Sequence, residues 1–307
     1  MGAERASNVL LYDNSACSSF SRQACLSSSV NAAYFQFAPV YLDVDANLEK
    51  VASQIPSLEV DLLVLPELFT SGYFFQSSKD LAEVAEPVPE GRSTTAIRDW
   101  AATLDATVVA GLPERDGEQV YNSAVAVQPD GTVDTYRKVH LYYEETVLFA
   151  PGNLGFPVVD VAPSGGPSYR LGLMVCFDWY FPEAARSLAL KGADIIAHPS
   201  NLVLPHCPDA MPVRARENHV YTITANRHGE ETKDDETLTF IGNSEVCGPT
   251  GEILRRAPQD CDEVGVVEVD PHDARDRHIN AYNDVLADRR PDAYMTELRQ
   301  RAEPPRT

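Results

Sequence analysis

Residues 61–66 read DLLVLP, and residues 194–199 read DIIAHP. Each is an Asp, a short apolar run and a Pro five positions after the Asp. An apolar run of that length is what a strand buried on both faces requires. Working outward, the two copies sit in the same grammar. Before the first come a short strand at 34–37 and a helical stretch over 43–55, with Val44, Leu48, Val51 and Ile55 at helical spacing. After it come a helix near 93–104, a strand at 107–112 and a hairpin across 120–137 that turns at Pro129-Asp130-Gly131. Around the second copy lie a buried strand, LGLMVC at 171–176, and a helix over 182–192 ended by Gly192. A helix over about 210–218, a strand at 220–225 and a hairpin turning at Pro249-Thr250-Gly251 follow. Asn122-Ser123 precedes the first hairpin turn and Asn243-Ser244 the second. The shared order predicts an internal duplication. Alternating strands and helices with hairpins predict an α/β fold of mixed sheets with helices outside. Two similar halves then give four layers, α-β-β-α, with the sheets face to face.

No Pro/Gly-rich linker divides the chain, so residues 32–290 read as one domain. Residues 1–31 are Ser-rich and aperiodic and read as a disordered extension, and residues 291–307 read as a tail. Hydrophobic residues make up 44% and charged residues 23% of the 307, an ordinary balance for a globular chain. No run approaches the ~18 apolar residues of a membrane-spanning helix. A formal charge of -21 repels phosphate backbones and anionic lipid, which argues against nucleic-acid and membrane partners. Only five basic residues are Lys, and such an acidic, Lys-poor surface suits a salt-rich setting. Six cysteines without a CxxC pair make neither a disulfide framework nor a zinc ribbon. The N-terminal residues lack the pattern of a secretory signal, so reduced thiols in a cytoplasm are expected. His198, His206 and Cys207 lie close in sequence but lack a repeated ligand spacing, so no metal and no other cofactor is expected.

Three positions break the local pattern. Glu67 follows VLP directly, Lys138 ends the strand DTYRK, and Cys176 ends LGLMVC. Singly, these are a loop carboxylate, a surface charge and a core thiol. Together, at three strand ends where loops converge, they supply the parts of a hydrolase that works through a covalent intermediate. No His lies in a recognised cysteine-protease context.

The strings around these positions, LVLPELFTSGY at 63–73, YRKVHL at 136–141 and MVCFDWYFPEAAR at 174–186, resemble the carbon–nitrogen hydrolase (nitrilase) superfamily. HPSNLVLP at 198–205, RARENHVYTITANR at 214–227 and RRPDAY at 289–294 extend the resemblance from residue 32 to about 295. It implies the α-β-β-α sandwich and a Glu–Lys–Cys triad, matched here by Glu67, Lys138 and Cys176. It also implies a second carboxylate in EETVLFAPG at 144–152, matched by Glu145 rather than the adjacent Glu144. In these roles Cys176 attacks, with its thiolate favoured by Lys138 and by a following helix N-terminus. Glu67 moves protons, and Lys138 with the backbone N–H of Phe177 holds the oxyanion. Glu145 orients Lys138.

The residues after the nucleophile bear on the substrate. Nitrilases of the family tend to read Cys-Trp-Glu-Asn, whereas amidases more often read Cys-x-Asp followed by Phe/Trp-Pro-Glu. Cys176-Phe177-Asp178 and Phe181-Pro182-Glu183 resemble the second pattern. Trp179 and Tyr180 stand where carbamoyl-amino-acid hydrolases carry paired arginines. A small amide is therefore the expected substrate, with a small aliphatic nitrile or an N-carbamoyl compound as alternatives. Phe177, Trp179, Tyr73, Tyr143 and Asn201 are the expected substrate contacts, within an aromatic set that includes Phe69, Phe74, Tyr142 and Tyr180. Relatives pair through helices flanking the nucleophile, which implies a homodimer through residues 180–190 and 212–222 and the tail. The competing class is a catalytically idle binding scaffold, in which Cys176 would be no more reactive than Cys207 or Cys247.

Overall fold

The computed structural model describes residues 28–294. Most of the N-terminal extension, and residues 295–307 of the tail, lie outside them. In the first half, strands β1 (Val30–Gln36), β2 (Leu62–Val64), β3 (Thr107–Asp116), β4 (Gln119–Val127) and β5 (Val133–Arg137) lie side by side. In the second half the strands are β6 (Val158–Val161), β7 (Tyr169–Leu173), β8 (Ile195–Pro199) and β9 (Tyr221–Ala225). They are followed by a separate hairpin, β10 (His228–Lys233) with β11 (Glu236–Ile241), and then by β12 (Glu245–Cys247), β13 (Ile253–Arg256) and β14 (Glu263–Val269). One six-stranded sheet has the order β14-β1-β2-β3-β4-β5, the other β13-β12-β9-β8-β7-β6. Reversing the second list aligns the two sheets strand for strand: three central parallel strands, an antiparallel hairpin on one side and an antiparallel edge strand on the other. DLLVLP forms β2 and DIIAHP forms β8, at equivalent places.

The repeated Asp has one job in both halves. Asp61 Oδ2 accepts the backbone N–H of Asn31 at 2.7 Å and its carbonyl accepts that of Thr107 at 3.0 Å. Asp194 Oδ2 accepts the N–H of Arg170 at 2.9 Å and its carbonyl that of Tyr221 at 2.9 Å. Each Asp thus ties the strand that follows it to both neighbours and sets their register.

Burial on both faces explains the unbroken apolar runs. Leu62 and Val64 point between the sheets against Leu173, Ile195 and Ile223, while Leu63 and Leu65 point outward. Outside the first sheet pack helices α1 (Val44–Ala52) and α3 (Arg92–Leu104), through Val51, Ile97, Trp100 and Ala101, with a shorter α2 (Ser78–Val84) beside them. A one-turn α4 (Glu145–Leu148) leads into the second half, whose outer layer is α5 (Pro182–Leu190) and α6 (Cys207–Asn218). The architecture is the expected four-layer sandwich. Several boundaries differ from the sequence reading. The first strand opens at Val30, inside the stretch expected to lack structure. The helix expected to reach residue 55 stops at Ala52, and a separate 3-10 turn, Ile55–Ser57, carries Pro56 as its second residue. The hairpin β10–β11 and the edge strand β14 were not anticipated. Among the described residues no helix is long and apolar enough to cross a membrane.

Candidate active site

Glu67, Lys138 and Cys176 leave the ends of β2, β5 and β7, and the facing sheets bring those ends together. Glu67 is fully buried. Its backbone lies so close to β3 that a Cβ on Gly111 would come within 2.5 Å of the Glu67 Cα, so that strand position has no room for a side chain. Lys138 Nζ donates to Glu67 Oε1 at 2.7 Å and to Glu145 Oε1 at 2.7 Å, and its side chain is entirely enclosed. Glu67 Oε1 also accepts from Asn122 Nδ2 at 2.6 Å, while Glu67 Oε2 has no hydrogen-bond partner. Glu145 opens α4 and accepts the N–H of Tyr142 at 3.2 Å through its other oxygen. Glu144 turns away and pairs with Lys233 at 2.6 Å.

The electrostatics follow from enclosure. Burial pushes the Glu145 carboxyl up to about 7, opposed by the Lys138 ammonium and the Tyr73 hydroxyl. Burial alone would lower Lys138, but the carboxylates of Glu145 and Glu67 outweigh it and hold the ammonium charged. Burial and the nearby Glu67 carboxylate push the Cys176 thiol well above its usual range, against the pull of Lys138. The expected favouring of the thiolate by Lys138 is thus outweighed by burial and the Glu67 carboxylate. The element after Cys176 is a five-residue 3-10 helix, Cys176–Tyr180, with little dipole to offset the desolvation. The thiol rests neutral beside an acceptor.

Cys176 has φ +42, a left-handed conformation uncommon for a residue with a side chain. Two groups hold this turn. Asp178, fully buried, accepts from Val175 N at 2.8 Å and Tyr136 Oη at 2.6 Å on one oxygen, and lies 2.7 Å from His140 Nδ1 on the other. His198 Nε2 lies 2.9 Å from the Cys176 carbonyl oxygen; burial lowers its pKa to about 4, so the ring is neutral and donates that N–H.

A small cavity of about 20 Å³ opens beside the sulfur, lined by Tyr142, Phe177, Trp179, Asn201 and Leu202–Leu204. Tyr73 is buried against the edge of Phe240, and its hydroxyl interacts with Glu145. Of the expected contacts, Tyr143 is not brought to this place: its φ of +53 turns the ring outward, 48% exposed, where its hydroxyl donates to Glu236 at 2.9 Å. Tyr142 takes the inward position instead, 5.0 Å from the Phe177 ring. Phe69 packs against Trp100 and Tyr180 is exposed, so neither lines the cavity.

A family model for the carbon-nitrogen hydrolases matches residues 31–278. This chain belongs to the carbon–nitrogen hydrolase family. Among relatives of this hydrolase, a protein named nitrilase from Pyrococcus abyssi (strain GE5 / Orsay) is 47% identical over 269 residues, covering 87% of this chain and 99% of that one. A citrullinase from Francisella tularensis subsp. tularensis (strain SCHU S4 / Schu 4) is 30% identical, covering 83% of this chain and 92% of that one. Among solved structures, a double mutant of the amidase from Nesterenkonia sp. AN1 in complex with acrylamide superimposes with a TM-score of 0.67 at 28% identity, covering 82% of this chain and 95% of that one.

The sequence reading of the hydrolase missed Asn122, His198 and the anchoring part of Asp178; it held Tyr142 in the aromatic set but ranked Tyr143 ahead of it as a contact. Asn122 had a signal: it is the first residue of the Asn-Ser pair repeated before each hairpin turn, and its second copy, Asn243, meets no carboxylate of the site. His198 sits in DIIAHP, but nothing local marks its bond to a carbonyl twenty-two residues earlier.

Proposed function

We propose that this carbon–nitrogen hydrolase cleaves a small primary amide, R–CO–NH2, through a thioester on Cys176, releasing ammonia and R–COOH. One observation carries the reading: near the Cys176 thiol, Lys138 is clamped between two buried carboxylates, one of which keeps an oxygen without a partner. In the first step Cys176 Sγ attacks the carbonyl carbon as its proton passes to Glu67 Oε2. The carbonyl oxygen, now negative, is held by the remaining N–H of Lys138 and by the Phe177 N–H. That N–H lies in the first turn of the 3-10 helix, where it has no intrahelical partner. Collapse breaks the C–N bond, and Glu67 returns the proton to the departing nitrogen. Water then enters, gives a proton to Glu67 and attacks the thioester; the thiol leaves with that proton. Glu145 keeps Lys138 charged and aimed.

The space beside the sulfur is about 20 Å³, little more than one water-sized sphere, which supports a short acyl chain. Its lining carries no cation, which supports neutral substrates over those bearing a carboxylate. The nitrile reading is favoured by the name of the Pyrococcus relative, and the ureido reading by that of the Francisella relative. Matched panels of short aliphatic amides, nitriles and ureido compounds, assayed for ammonia, test the proposal. Amides are expected to turn over in the native enzyme and not in Cys176→Ala. Turnover of nitriles or ureido compounds alone would overturn it. Tyr180 just before α5, Leu190 at the end of α5 and Val213 in α6 are exposed, which supports a homodimer through these segments. Four free cysteines among the described residues fit a reducing cytoplasm.

A further inference from the structure

The hairpin β10–β11 belongs to neither large sheet, yet it carries a buried ion pair. Arg227, just before β10, is 1% exposed, lies 4.0 Å over the Phe240 ring and pairs with Glu231 at very short range. Such a pair adds little stability over apolar residues of the same volume, so its retention invites a local reason. Glu231 Oε2 accepts two backbone N–H groups of the loop that follows Glu67, those of Tyr73 at 3.0 Å and Phe74 at 2.6 Å. The approach needs Gly72, which has φ +80 and where a Cβ would come 2.6 Å from Glu231 Oε1. The far end of the same hairpin holds the other side of the site. Lys233 pairs with Glu144 at 2.6 Å, and Glu236 accepts from the Tyr143 hydroxyl at 2.9 Å, so residues 143 and 144 are fixed just before Glu145.

One element therefore grips both loops whose side chains meet at Tyr73 and Glu145. We propose that Glu231 is a positioning residue for the reaction: through the backbone of Tyr73 it sets the Tyr73 hydroxyl against Glu145, and so governs the carboxylate that aims Lys138. The inference rests on the catalytic roles proposed above. The titratable groups facing Glu145 are Lys138, Glu67, Tyr73, Cys176 and Tyr142; those facing Glu231 are Arg227 and Tyr41. Burial raises the Glu145 carboxyl; Lys138 is the main group opposing this, and the Tyr73 hydroxyl adds a smaller pull in the same direction as Lys138. Displacement of that hydroxyl raises Glu145 further and moves the acid limb of activity to higher pH.

Removing Glu231 alone leaves a buried guanidinium unpaired, so the informative variant is Arg227→Met/Glu231→Leu, which removes both charges. It is compared with Tyr73→Phe and with the triple variant. Two readouts are taken from pH 5 to 9: ammonia release from propionamide, and the rate of Cys176 alkylation by iodoacetamide followed by mass spectrometry. Tyr73→Phe is expected to move the acid limb up by about half a pH unit, about a threefold loss at pH 6 with little change at pH 9. Arg227→Met/Glu231→Leu is expected to move it by a similar amount, and the triple variant no further than Tyr73→Phe alone, since both act through one contact. An acid limb left in place in the double variant, with loss equal at every pH, overturns the inference. So do additive shifts in the triple variant. If the native enzyme releases no ammonia, the amide reading fails, while the alkylation profiles still decide the role of Glu231.

Discussion

At the scale of single residues, Glu67 has two oxygens with different tasks. Oε1 is saturated by Lys138 and Asn122, which fixes the carboxylate plane, and Oε2 has no partner, which in the proposed mechanism leaves it to exchange protons. Glu67→Gln keeps an oxygen that accepts from both donors but removes the proton acceptor. The variant is expected to fold with an unchanged melting temperature and to lose about 10²- to 10⁴-fold in kcat, with KM moved far less. Steady-state ammonia release and a thermal melt check both halves. A parallel collapse of stability would assign Glu67 to packing instead. The identities of the three central residues were legible because each interrupts an apolar pattern at a strand end. The choice between Tyr142 and Tyr143 was not. Both are aromatic, and which one faces inward depends on the left-handed φ of Tyr143, for which nothing in the sequence is diagnostic.

At the scale of elements, the turn at Cys176 depends on Asp178 more than on any helix. Its carboxylate accepts from the backbone of Val175, from Tyr136 and from the His140 backbone and ring, joining the end of β7 to the segment just after β5. In Asp178→Asn one end becomes an NH2 group aimed at other donors. Leaving such buried donors unmatched costs about 1–3 kcal/mol. The expected result is a lower denaturation midpoint by that amount together with slower alkylation of Cys176, as the left-handed conformation relaxes. An unchanged midpoint and alkylation rate would show that the turn holds itself. The element reading succeeded where periodicity is strong, in β2, β8 and the two hairpins of the large sheets. It failed for β10–β11, whose strands HGEETK and ETLTFI are largely polar because the hairpin lies outside both sheets and serves loops instead.

At the scale of the whole molecule, the duplication was legible because β2 and β8 carry the same Asp, apolar run and Pro for the same register. The pairing of β1 with β14 was not, since it joins the two ends of the domain and has no local trace. Charge also acts at this scale. A formal -21 over the chain opposes compaction, because the carboxylates repel one another at distances that water alone does not screen. The screening length falls from about 10 Å at 0.1 M salt to about 3 Å at 1 M, so that repulsion is relieved as salt is added. Sodium chloride is the salt to use, since sulfate would also strengthen apolar burial. The melting temperature is expected to rise between low and molar NaCl by at least about 2–4 °C, equivalent to about 1 kcal/mol for a chain of this order of size. The buried pairs Lys138–Glu67 and Lys138–Glu145 are shielded from mobile ions. If the proposed role of Glu145 holds, the acid limb of activity is therefore expected to move much less with salt than the melting temperature does. A melting temperature that is flat or falls with salt would mean that the surface carboxylates are already neutralised by neighbouring arginines, and that the acidic composition has no bearing on where this enzyme is stable.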